Sequence, residues 1–189
     1  MDCTFDLPAR EAICVVDSAV RSLARPSRFH PEDSEQRMDA VQRRLEQMVA
    51  AQGPRRGARR ARAVLRITSR LAESPGESVL RWFVRALGLP APRLQARIAD
   101  PDLSRFYFPD EVWPEFKVLA EFDGQLKYTS PEELWREKQR HDALVRMGWH
   151  TERFIWSDVG DLDALRHRVL TLFPPAAARL WRPMADLWK

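Results

Sequence analysis

Asp110, Glu121 and Asp123 are the side chains whose type and spacing best suit shared chemistry. Glu121 and Asp123 are two residues apart at the end of an apolar run from Phe116 to Phe122, which reads as a strand. Strand side chains alternate between faces, so both acids point to the same side. Asp110 follows Pro109 at the end of another expected strand, and a hairpin partner can set it beside them. Carboxylates converging on one sheet face repel unless a cation intervenes, and hard divalent cations take such oxygen ligands. Mg²⁺ also keeps waters that can serve as a nucleophile. Glu121 interrupts Val118-Leu119-Ala120 and Phe122, where the pattern asks for an apolar residue, and a buried acid needs a partner. Glu77, on a preceding helix, can approach from the opposite edge. Taken singly, each acid also has a structural reading: Asp123-Gly124 is a turn signal, and Asp110 can simply end a strand.

The elements that must position these residues follow from periodicity. Apolar residues Ala12, Ile13, Val15, Val16, Ala19, Val20 and Leu23 recur with helical spacing between Leu7 and Ala24. The stretch to Ser34 reads as a loop. A second helix carries Met38, Val41, Leu45 and Met48 and stops at Gly53-Pro54. A third places Ala58, Ala61, Val64 and Leu65 inward and its arginines outward. Ser74-Pro75-Gly76-Glu77 has the signature of a capping box, and Gly88-Leu89-Pro90 ends the helix it opens. The period then changes: Leu94, Ala96 and Ile98 alternate with polar residues, Arg105 to Phe108 forms a second strand, and Phe116 to Phe122 a third. Pro131 opens an amphipathic helix carrying Leu134, Trp135, Lys138, His141, Leu144 and Val145. Trp149 to Trp156 reads as a strand, and Leu162 to Leu172 as a closing helix before a proline-rich tail. Trp113, Trp135, Trp149 and Trp156 fall at core-like positions, while His141 and His150 read as packed or exposed rather than catalytic.

The fold class expected is α/β (α+β): a small helical region over residues 1–72, then a domain over 73–189 ordered helix, three-strand meander, helix, strand, helix. A hydrophobic share of 44% with 31% charged residues is globular. No stretch suits a membrane span, and the opening residues lack a secretory pattern. Cys3 and Cys14 are too few for a disulfide framework, which fits a reducing, cytoplasmic setting. The net charge of +4 says little by its size. Its distribution says more: Arg55, Arg56, Arg59, Arg60, Arg62 and Arg66 lie within twelve residues that hold no acid. Such a run can neutralise nucleic-acid phosphates, or serve as a solvated helix face.

Several pieces recur in order: Glu77-Ser78 with Arg81, Gly88-Leu89-Pro90 with Gln95, and Asp110 before Trp113-Pro114. Glu121-Phe122-Asp123-Gly124 with Lys127-Tyr128 follows, then Glu137-Lys138 with Arg140, Gly148-Trp149, and Arg153 with Trp156. Together they resemble the PD-(D/E)XK nuclease superfamily. More narrowly, they resemble the domains related to very-short-patch-repair endonucleases, found at the C-terminus of AbiEi-type abortive-infection antitoxins. Asp17-Ser18-Ala19 and Arg21 resemble the segment preceding that domain. The resemblance implies Glu77, Asp110 and Glu121 around a Mg²⁺ (or Mn²⁺), with water attacking a DNA phosphodiester in defence or repair. The family's lysine, two residues after the glutamate, is replaced by Asp123. Lys127 could supply the amine from the next turn, Asp123 could be an additional ligand, or the site could be degenerate. The alternative function is a catalytically inactive DNA-binding or regulatory, antitoxin-like module on the same fold.

Overall fold

The protein is described by a computed structural model covering residues 2–26, 31–102, 104–124 and 130–189. It is a mixed α+β fold that packs as two compact units. One comprises the chain through Leu89 together with Arg182–Lys189; the other is Pro90–Trp181.

The first unit is helical: α1 (Asp2–Asp6), α2 (Ala9–Ala24), α3 (Pro31–Ala51), α4 (Ala58–Ile67) and α5 (Pro75–Leu87). Ala12, Ile13, Val16 and Val20 form the buried stripe of α2, whereas Val15 and Leu23, counted in the same pattern, are exposed. The second helix begins at Pro31, well before the apolar spacing signals it, because proline suits a first helical turn. The Ser74 hydroxyl accepts the Glu77 N–H at 3.2 Å, and Gly88 closes α5 at φ 92°. Glycine is required there: a Cβ would lie 2.2 Å from the Pro183 nitrogen. The C-terminal residues return at this point, where the Arg182 N–H donates to the Gly88 carbonyl at 2.7 Å. Trp188 then packs edge-on against Trp82 and Phe83, with ring centroids 5.4 and 5.9 Å apart.

A buried ion pair joins α2 to α5. Asp17 and Arg81 are both buried and bonded to each other. Asp17 also accepts the Ser78 hydroxyl at 2.6 Å and the Ser69 N–H at 2.8 Å. Arg81 Nε donates to the Ile67 carbonyl at 2.8 Å. Burial pushes the Asp17 carboxyl above its ordinary pKa, opposed by Arg81, Ser78 and Ser69. These contacts tie α5 to the helical unit, so the division by packing falls after Leu89 and not at the 72/73 boundary expected from the sequence.

The second unit contains β1 (Arg93–Leu94), β2 (Ile98–Asp100), β3 (Arg105–Tyr107), β4 (Glu111–Trp113), β5 (Val118–Phe122), α6 (Pro131–Arg146), β6 (His150–Phe154) and α7 (Leu162–Thr171). The main sheet has the order β1-β4-β5-β6, while β2 and β3 form a separate hairpin. Neighbours β1, β4 and β5 are antiparallel, and β6 runs parallel to β5 after the α6 crossover. The meander is thus present with different strand limits. The strand expected at Leu94–Ile98 is broken at Gln95, which has φ 50°. The Arg105–Phe108 run belongs to the hairpin rather than the central sheet, and Asp110 precedes β4 rather than ending a strand.

Val112 and Leu119 are register partners and pack with Ala143 and Leu144 of α6. Alternation turns Trp113 and Phe154 to the other face, where Trp113 meets Phe173 just beyond α7 (centroids 5.1 Å apart). Trp113 and Trp149 are core residues, but Trp135 and Trp156 are 58% and 48% exposed, against the core role expected for all of them.

Replacing Asp17 by Ala leaves the Arg81 guanidinium buried without its counter-charge and should destabilise the fold by about 3–5 kcal/mol. Chemical denaturation should show a lower midpoint than for an Arg44→Ala control, a change at an exposed position of α3. An Asp17→Ala variant as stable as wild type would show that the pair does not hold α2 to α5.

Candidate functional site

Glu121 lies beside Arg153 in the parallel β5–β6 register, on the sheet face covered by α6. Its Oε1 accepts from Arg140 Nη2, while Oε2 accepts Arg140 Nη1 at 3.0 Å and Arg153 Nη2 at 3.4 Å. Glu137 accepts from the same two arginines, with Arg140 Nη1 at 3.1 Å. Asp123 Oδ2 lies 3.9 Å from Arg153 Nη1. Glu121, Asp123 and Glu137 therefore share the guanidiniums of Arg140 and Arg153 in one network. Burial works against the charge on Arg140, but hydrogen bonds and attraction from Glu121 and Glu137 outweigh it and hold its pKa above the ordinary value.

Local sequence builds this arrangement. The Ser130 hydroxyl accepts the Glu133 N–H at 3.3 Å and Pro131 occupies the first turn, which starts α6. Glu137 and Arg140 are three residues apart and so share a helix face. Gly148, at φ 80°, ends the turn after α6 and leads the chain into β6.

Asp110 has a different use. Its Oδ2 accepts the Phe122 N–H at 2.9 Å and its Oδ1 accepts the Gln95 amide at 3.3 Å. It clips the end of β5 to the break after β1. Glu77 belongs to the helical unit, where its Oε2 accepts the Glu73 N–H at 2.8 Å and closes the start of α5. Lys127 lies outside the described residues. The wholly buried acid of the sheet is Glu111, opposite Ala120, and not Glu121.

Among the described residues, no three His, Cys, Asp or Glu side chains are grouped so as to hold a metal ion. The donor set gives the reason. A divalent cation brought to Glu121 would meet two guanidiniums within hydrogen-bonding distance of its oxygens. The described residues do not fit the Mg²⁺ (or Mn²⁺) centre that the resemblance implies.

The arginine run lies in the helical unit. Ala58, Ala61, Val64 and Leu65 are buried as expected, while Arg59, Arg62 and Arg66 face solvent, with Arg55 and Arg56 exposed just before α4. Two members serve the fold. Arg60 Nη2 donates to the Phe5 carbonyl, and the Arg55 guanidinium lies 4.4 Å from the Phe5 ring centre and 3.6 Å from Asp6. Both also line, with Arg56, Arg59 and Arg62, an open cleft of about 580 Å³ that includes Asp186 and Lys189. The Lys189 hydrogen bond lowers the pKa of Asp186, and Arg59 and Arg66 add to the effect. The cleft is electropositive despite its one acid.

Sequence reasoning missed the Glu121–Arg140–Arg153 network and the Asp17–Arg81 pair. The signals were present: an acid on an otherwise apolar strand, Glu137 and Arg140 on one helix face, and charges within the stripes of α2 and α5.

No family model and no solved structure matches this chain. Two relatives from two strains of Mycobacterium tuberculosis, each described as an uncharacterized protein, are 32% identical over 140 residues, or 74% of this chain. The chain spans about half (51%) of the length of these curated relatives. Their names state no activity.

Arg140→Ala removes charge-assisted bonds to Glu121 and should cost about 1–3 kcal/mol of stability. In a double-mutant cycle, Arg140→Ala combined with Glu121→Ala should cost less than the sum of the single changes. Strict additivity would mean that the two side chains are not coupled in solution.

Proposed function

We propose that the protein binds DNA through the basic face of α4, and that its sheet unit is an ion-paired scaffold rather than a hydrolytic centre. The carrying observation is the exposed set Arg56, Arg59 and Arg62 beside Lys189. Cations held on a rigid helix release the counterions condensed on phosphates when they bind, which favours association and makes it strongly salt-dependent. The apolar side of α4 is buried, so its arginines are presented at fixed helical spacing. The same reading accommodates the sheet unit, where Glu121 is already neutralised by arginine. Among the described residues, no helix is long and apolar enough to cross a membrane.

A metal-dependent endonuclease is the second reading. Its support is the Asp110–Phe122 bond, which sets Asp110 at the same end of β5 as Glu121. It requires Glu121 to leave Arg140.

Binding to duplex DNA, followed by fluorescence anisotropy, should weaken steeply with salt. Arg59→Gln with Arg62→Gln should lower the slope of log K against log salt by about 2, close to one unit for each lost phosphate contact. An unchanged slope and affinity would remove α4 as the binding face. Plasmid nicking that needs Mg²⁺ or Mn²⁺ and is abolished by Glu121→Gln would favour the endonuclease instead.

A further inference from the structure

Beside the β2–β3 hairpin lies an open cleft of about 550 Å³ that no carboxylate lines. Its cations are Arg93, Arg97 and Lys117, and its apolar wall includes Ala96, Pro114 and Trp149. All three cations are exposed. Among the described residues, none of them takes part in an ion pair, whereas Arg140, Arg146, Arg153 and Arg168 of the same unit all do.

Two of the cations are held in place by aromatic rings. The Arg97 guanidinium stacks 3.5 Å from the centre of the Phe106 ring, and the Lys117 ammonium lies 4.9 Å from that of Trp149. Phe106 is itself 48% exposed. Lys117 also stands at φ 54°, a left-handed conformation that glycine or asparagine adopts more easily. Non-glycine residues in that region are concentrated at functional sites.

We propose that this cleft binds an unpaired nucleic-acid strand. Arg93, Arg97 and Lys117 take the backbone phosphate, and a neighbouring base stacks on the Arg97–Phe106 pair. The chemistry matches what such strands present: a charged backbone, and bases that stack on aromatic rings or guanidinium planes. It is separate from the α4 face, which lies in the other unit and lacks exposed aromatic rings among its lining residues.

The test is anisotropy of a labelled oligothymidylate of about twelve nucleotides, with duplex DNA and free thymidine monophosphate as parallel probes. Full-length wild type should bind the oligomer in a salt-dependent manner. Phe106→Ala should weaken that binding on the order of ten-fold. Lys117→Gly should weaken it while keeping or raising the melting temperature, because glycine tolerates the positive φ. Neither substitution should change duplex affinity, and Arg59→Gln with Arg62→Gln should affect only the duplex. Oligomer affinity unchanged in both Phe106→Ala and Lys117→Gly overturns the proposal. So does monophosphate binding as tight as the oligomer's, which would make the cleft a mononucleotide pocket. Loss of duplex binding alone counts against the α4 reading and leaves this one standing.

Discussion

A carboxylate on the covered face of a sheet needs a counter-charge, and Glu121 has two. Arg140 reaches it from α6 and Arg153 from the neighbouring strand, so one acid links helix, strand and strand. Burying a charge costs several kcal/mol unless excellent geometry and further hydrogen bonds offset it. That requirement favours a single placement of α6 over β5 and β6, in which Glu137 joins the same arginines. Because Asp110 simultaneously holds the Phe122 N–H, the acids best placed for chemistry are engaged in holding the fold.

The same device recurs elsewhere. Asp17 and Arg81 join α2 to α5, Asp100 and Arg146 join the hairpin to α6, and Glu152 and Arg168 join β6 to α7. The 31 cations include lysine only at 117, 127, 138 and 189. The planar, always-charged guanidinium fork of arginine suits such shared pairing better than an ammonium does. Among the described residues, Arg93, Arg97 and Lys117 beside the β2–β3 hairpin line a cleft without a carboxylate, and this cleft and the α4 face are the surfaces we propose for phosphate.

Much of the fold is legible from the sequence, because periodicity and capping chemistry act locally. Ser74-Pro75 and Ser130-Pro131 mark helix starts that the structure contains, and the change of period after Pro90 marks the start of the sheet unit. What is not legible depends on contacts distant in sequence. Helix α5 packs with α2 because Arg81 finds Asp17, 64 residues away. The C-terminal tail joins the core because Trp188 meets Trp82 and Phe83. The candidate site shows the same limit: Glu121 could be recognised as an acid needing a partner, but type and spacing could not distinguish a metal ion from arginines 19 and 32 residues further along. Similarly, Arg55 and Arg60 look like surface cations until Phe5 is seen beneath them.

Calorimetric titration with Mg²⁺ and Mn²⁺ tests most directly whether arginine occupies the place of a metal at Glu121. The wild-type protein should give no saturable heat attributable to this site, while Arg140→Gln with Arg153→Gln should gain divalent-cation binding that Glu121→Gln removes. Stoichiometric binding by the wild type, lost in Glu121→Gln, would contradict the arginine-neutralised site and restore a metal centre to this sheet.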